Sequence, residues 1–220
     1  MMSIRCTSVL TSILLLFTLT SADSQEAATF GPQTYDHGII DAGFYINHCL
    51  GFSYPIPEGW KVNAAALGSP PGVAKREPGG LILLILDQRA SPGLVNRMIL
   101  SATDTRNLNF DAKEFVSRFV HLAPSGPNAW SRKIMQEPYA VDLAGQHFFR
   151  ADFADTRSEV TVYKAYISTK FRGYFLNWTI GASSSEELDT LVNSLRKLVF
   201  YQDAPDPACS MPTYPAPAPK

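Results

Sequence analysis

The feature that most limits the fold is a succession of period-two apolar runs joined by turns too short for anything but hairpins. Tyr174, Leu176, Trp178 and Ile180 alternate with Phe175, Asn177 and Thr179, the spacing that gives a strand one apolar face. Val160 to Lys170 precedes this run across Phe171-Arg172-Gly173, with Gly where a positive φ is needed. Val141 to Leu143 reaches Gln146 to Phe153 through Ala144-Gly145 in the same way. Parallel strands require long crossovers, so these runs form an antiparallel sheet. Phe52 to Ile56 is a further strand, ended by Pro57, Gly59 and Trp60, and Met98 to Thr103 is another. Leu81 to Leu86 is apolar throughout and is expected at the centre, covered on both faces.

Two amphipathic helices interrupt the strands. Asp111 caps the first, with Glu114 three residues on, and Ala112, Phe115, Val116, Phe119 and Val120 share a face until Pro124 and Gly126 stop it near His121. The second follows Ser183-Ser184-Ser185, with Ser184 and Glu187 spaced as a capping box. Leu188, Leu191, Val192, Leu195 and Leu198 are its buried stripe, and Arg196 and Lys197 suit its last turn. Strands broken by helices, with hairpin connections, give an α+β single domain.

The chain ends carry other signals. Met1 to Ala22 reads as a secretory signal: Arg5 precedes an apolar run from Val9 to Leu19, and Thr20-Ser21-Ala22 supplies small residues, with Ser24 an alternative cleavage point. An 11-residue run is too short to cross a bilayer of ~30 Å as a helix, and no later stretch reaches that length, so no membrane span is expected after signal removal. Residues 23–37 read as a polar leader, 38–203 as the domain and 204–220 as an extended tail holding Pro205, Pro207, Pro212, Pro215, Pro217 and Pro219. Loss of the signal removes Cys6 and leaves Cys49 and Cys209. In an oxidising compartment they are the candidate disulfide; two free thiols are the alternative, because sequence does not give the Cα separation.

Here the residues resemble a known family. Tyr45-Ile46-Asn47, then Leu50-Gly51-Phe52-Ser53-Tyr54-Pro55-Ile56-Pro57-Glu58-Gly59-Trp60, resembles the opening of PsbP-like domains. Gly145-Gln146-His147-Phe148-Phe149-Arg150-Ala151-Asp152-Phe153 resembles their Gly-x-x-aromatic-x-Arg hairpin, and Ser184 to Phe200 their closing helix. The resemblance spans roughly Tyr45 to Phe200. It implies an α/β/α sandwich, an antiparallel sheet of about six strands flanked by helices. It also implies action by binding partners: relatives include photosystem assembly subunits, a Ran-binding transport factor and small bacterial envelope lipoproteins. An active site is not a family feature, and no metal or partner residue carries over.

Composition and motifs point the same way. With 19 Lys plus Arg against 20 Asp plus Glu, no basic excess exists for phosphate neutralisation, so no nucleic-acid partner is expected. His37, Asp41 and His48 lack ligand spacing, and no metal or other cofactor is expected. There is no Gly-x-Ser-x-Gly elbow, and Gly68-Ser69-Pro70-Pro71-Gly72 is a rigid loop. His147 lies on one face of its strand while Arg150 and Asp152 share the other, which reads as a structural ion pair rather than an acid–base set. No catalytic residue is assigned. Asn177-Trp178-Thr179 matches a glycan acceptor but sits within a strand. The expected function is therefore a secreted or periplasmic, monomeric, non-catalytic binding or assembly protein with a protein partner of the cell envelope. An apolar-ligand carrier using a cleft beside 64–80 is the alternative, and a hydrolase a weaker one.

Overall fold

In a computed structural model the described residues are 38–63, 81–91, 94–106, 108–122 and 130–201, all within one unit, Thr34–Lys220. The strands are β1 Ile39–Asp41, β2 Phe44–Asn47, β3 Phe52–Pro55, β4 Lys61–Val62, β5 Leu81–Ser91, β6 Leu94–Asp104, β7 Ser131–Leu143, β8 Gln146–Arg157, β9 Val160–Phe171, β10 Tyr174–Ala182 and β11 Val199–Phe200. The helices are α1 Ala112–Val120 and α2 Ser185–Ser194, with a 3-10 turn at Leu195–Lys197. The fold is α+β, but one sheet of about six strands is not what forms. The large sheet has seven strands in the order β4-β5-β6-β10-β9-β8-β7, and a second, four-stranded sheet has the order β1-β2-β3-β11. Every pairing in both is antiparallel.

The first helix begins as its residues dictate. The Asp111 carboxylate accepts the Glu114 N–H at 2.8 Å, and Ala112, Phe115, Val116 and Val120 are buried. Phe119 lies flat on Tyr166 with centroids 3.6 Å apart. Ser184 caps α2 by accepting the Glu187 N–H, but the return contact falls one residue early: Glu187 Oε2 accepts from the N–H and hydroxyl of Ser183. Its other oxygen accepts from Asn96 Nδ2 on β6 at 2.5 Å, which turns the carboxylate away from Ser184.

The middle strand, β10, feeds two cores. Leu176, Trp178 and Ile180 pack with Leu188, Leu191 and Leu195, and with Tyr45, Phe52 and Tyr54 of the small sheet. Phe175, pointing the other way, packs with Phe115, Val116, Phe153 and Tyr166 around α1. Asn177 shares the Phe175 side and is buried, so the acceptor motif is closed within the fold. It accepts from the Ser168 hydroxyl and donates to Thr103 Oγ1 and Phe175 O.

The apolar run at 81–86 is not central. Only the two-residue β4 lies beyond β5. A register shift between Ile82 and Leu84 places Leu83 and Leu84 in the same core as Leu81 and Leu86. A bulge therefore turns four of the six side chains into one core, and Ile85 is buried outside that core, so the run is largely buried although its strand lies next to the sheet edge.

The small sheet joins the large one at Gly51, which has φ +68°. The Arg172 guanidinium, from the β9–β10 turn, occupies the space a Cβ at Gly51 would need. Arg172 also donates to Tyr201 O at 2.9 Å, and the Tyr201 N–H donates to Gly51 O at 2.8 Å. Gly51→Ala is expected to lower stability by about 1–2 kcal/mol through left-handed strain and displacement of Arg172. Urea titration checks this: in an Arg172→Ala background the same change costs less but does not become neutral.

Candidate interaction surface

The turn of the β1–β2 hairpin is Ala42-Gly43, with φ of 46° and 82°, the two positive values that define a tight type I′ connection. It sets the register Ile39 opposite Ile46, Ile40 opposite Tyr45 and Asp41 opposite Phe44. Continuing outward from β2, Ile46 faces Ser53 and Ser53 faces Val199, while Phe44 faces Pro55. Directly opposed residues share a face, so two sides follow. Tyr45, Asn47, Phe52 and Tyr54 point into the core and are buried. Ile39, Phe44, Ile46, Pro55 and Val199 point away from it. Ile39 is 53% exposed, Phe44 44% and Val199 50%, so the ends of this outward side are apolar and open, while Ser53 between Ile46 and Val199 is buried. Asp41 is the one charged side chain in these outward rows.

The turn between β2 and β3 holds this sheet in shape. Asn47 Oδ1 accepts the Leu50 N–H at 2.7 Å, its Nδ2 donates to the Tyr45 hydroxyl, and its carbonyl accepts the Gly51 N–H. Cys49 stands half-buried on this turn; Cys209 lies outside the described residues.

Two largely buried carboxylates of the large sheet are engaged with basic side chains. Arg150 Nε donates to Asp152 Oδ1 at 2.8 Å, and its Nη2 donates to Asp189 Oδ1 of α2 at 2.6 Å. The Tyr139 hydroxyl donates to Asp152 as well. Burial is the largest influence on Asp152 and pushes its carboxyl up in spite of these donors. Three residues further along β8, Asp155 receives Arg132 through two bonds of 2.8 and 2.9 Å and Lys164 through one of 2.9 Å. Burial opposes ionisation of Asp155, but the Arg132 and Lys164 hydrogen bonds outweigh it and hold the carboxyl below the usual range. Arg132 also lies over the Phe153 ring. Tyr54 shares a hydrogen bond with Ser194, whose hydroxyl donates to Leu191 O; burial pushes the phenol up to about 12, so it stays neutral.

His121 and His147 are exposed, each beside one carboxylate, Glu137 and Asp142 respectively. Among the described residues no three His, Cys, Asp or Glu could hold a metal ion, and no helix is long and apolar enough to cross a membrane. His37 and the 64–80 segment invoked for a ligand cleft lie outside the described residues. The outward apolar rows are what the sequence reading missed. A signal was present: Ile39-Ile40-Asp41-Ala42-Gly43-Phe44-Tyr45-Ile46 is a two-residue turn flanked by apolar residues.

No family model matches the chain, and no curated protein matches it. Among solved structures it is similar to cyanobacterial PsbP (CyanoP) from Synechocystis sp. PCC 6803, with 12% identity and a TM-score of 0.50 over 74% of this chain and 96% of that one. It is also similar to LpqN, involved in cell envelope biogenesis of Mycobacterium tuberculosis, with 15% identity and a TM-score of 0.40 over 68% and 83%. A third is the Ran-binding protein Mog1p of Saccharomyces cerevisiae, with 11% identity and a TM-score of 0.44 over 68% and 90%. The fold is PsbP-like.

The two buried carboxyls have opposite linkage to pH. The folded value of Asp155 lies below its unfolded one, so its contribution is complete above the ordinary carboxyl range and is lost as pH falls through the folded value. Asp152, shifted up, contributes most at low pH and loses that contribution as pH rises through its folded value. Asp155→Asn is expected to lose about 3–5 kcal/mol at neutral pH, since it strands two cations. In a pH series of urea titrations its stability then falls less steeply than that of the wild type below about pH 4.

Proposed function

We propose that the chain is an exported, non-catalytic binding or assembly protein that docks a protein partner of the cell envelope through the outward face of its small sheet. In this reading residues 1–22 are the signal, 23–37 a leader, 38–203 an α/β/α sandwich and 204–220 a Pro-rich tail, and the protein acts as a secreted or periplasmic monomer without a cofactor. The carrying observation is the outward face itself: a fold that closes around Tyr45, Phe52 and Tyr54 leaves Ile39, Phe44 and Val199, on the opposite side of the same small sheet, about half exposed, and grouped exposed apolar side chains mark interaction sites. The sandwich is supported by β10, whose alternate residues enter separate cores with α1 and α2. The Arg150 cluster is structural in this account, tying α2 to β8 through Asp189.

The same reading pairs Cys49 with Cys209. Tyr201 is hydrogen-bonded to Gly51, two residues from Cys49. The eight residues from Tyr201 to Cys209 span up to ~26 Å, ample for closure. The cross-link closes a long loop, with an ideal entropic stabilisation of ~4–5 kcal/mol. A non-reducing peptide map of the exported protein is expected to show the Cys49–Cys209 peptide; two free thiols contradict it.

The docking face is tested by photo-cross-linking in cells of the native host. Benzoylphenylalanine in place of Phe44 is expected to give one discrete adduct, and in place of Thr190 on the exposed side of α2 none. Equal labelling from both positions, or turnover of a substrate in a broad hydrolase panel, overturns the proposal.

A further inference from the structure

We infer that the open edge of β1 takes up an extended segment of the partner protein as a fifth strand of the small sheet, and that this segment sets a basic residue against Asp41. The inference rests on the reading of the small sheet as the docking face and specifies how the partner is held.

The backbone phase follows from the turn. In a two-residue hairpin the flanking pair, Asp41 and Phe44, is hydrogen-bonded, and antiparallel pairs alternate. Ile40 and Tyr45 are then a non-hydrogen-bonded pair, so the Ile40 N–H and C=O point away from β2. On that side no described strand lies. The same phase runs through the rest of the sheet. Pro55 meets Phe44 at a non-hydrogen-bonded position, where its missing N–H costs nothing. The bond from Tyr201 N to Gly51 O falls where the alternation places one between β3 and β11.

The other edges are unsuited. Strands β4 and β11 have two residues each. Strand β7 is long, but Pro138, two register shifts and the charges of Lys133, Glu137 and Asp142 blunt it against pairing. Strand β1 is itself short, at three residues, and carries one charge, Asp41, but it has no proline and no register shift, and Ile39 and Ile40 are both about half exposed.

Charge selects the occupant. Strand-adding partners gain affinity from main-chain bonds and specificity from alternate side chains. Ile39 and Asp41 face the same way, so an added strand presents two outward residues here, one beside an aliphatic group and one beside a carboxylate. An aliphatic and a basic residue two apart fit that pair. An anionic lipid surface would set phosphates against Asp41 and leave the Ile40 amide without a partner. A second copy pairing about Ile40 would bring Ile39, and no cation, to each Asp41.

The test titrates the full chain with acetyl-Thr-Thr-Val-Ile-Lys-Val-Thr-Thr-amide and with the same peptide carrying Glu for Lys, read by amide NMR and hydrogen exchange. The expected result is exchange protection of the Ile40 amide and affinity about five-fold higher for the Lys peptide. Asp41→Asn is expected to erase most of that preference, and Ile40→Pro, which removes the donor, to weaken binding at least ten-fold while the near-ultraviolet spectrum stays native. No protection of Ile40 by either peptide at millimolar concentration overturns the inference. So does binding that Ile40→Pro leaves unchanged, association with phosphatidylglycerol vesicles in place of peptide, or self-association through this edge. Cross-links from Phe44 alongside an unprotected Ile40 remove only the strand-addition mode; absence of both removes the docking face as well.

Discussion

The middle strand of the large sheet has no side given to solvent, and much of the remaining architecture follows from that constraint. Trp178 meets Phe52 and Phe148 edge-on, at centroid distances of 6.3 and 5.8 Å, so one side of β10 holds the small sheet against the large one. Phe175 stacks on Phe115 at 4.7 Å on the other side and holds α1. Such aromatic pairs contribute roughly 0.5–1.5 kcal/mol beyond area burial. Asn177 interrupts the Phe175 side, and an amide buried there would destabilise the strand if left unpaired. Ser168 on β9 and Thr103 on β6 supply its partners, making a polar rung across three strands.

The helices were readable because their signals are local. Asp111 with Glu114, and Ser184 with Glu187, lie within one turn, and the apolar stripe of each helix recurs every three or four residues. What lay outside that reach was misread. Glu187 turned to Ser183 because Asn96, far away in sequence, holds its second oxygen. Leu81 to Leu86 suggested a central strand because a bulge and double burial both produce an unbroken apolar run. The first half of β7 was missed because it is an edge with little buried, and its alternation carries no apolar signal.

The polar clusters divide in the same way. Arg150 and Asp152 stand two apart on one strand, so their shared face was legible. Asp189 joins them from α2, and Arg132, Asp155 and Lys164 meet only through the register of β7, β8 and β9. Cross-strand registers of that length are set by the fold as a whole. The small sheet was the largest omission: its strands have two to four residues, too few for a convincing period, and β11 comes from the far end of the domain.

In this account the buried polar groups serve packing and the outward small-sheet side serves recognition. The direct measurement is a paired substitution, Phe44→Thr with Val199→Thr, assayed for both folding and complex formation. Both residues are about half exposed, so the account expects unfolding free energy within about 0.5 kcal/mol of wild type. Migration with a larger partner in native extract is expected to be lost. A fall of about 2 kcal/mol or more, marking side chains that pack within the fold, contradicts the account, as does a complex that survives unchanged.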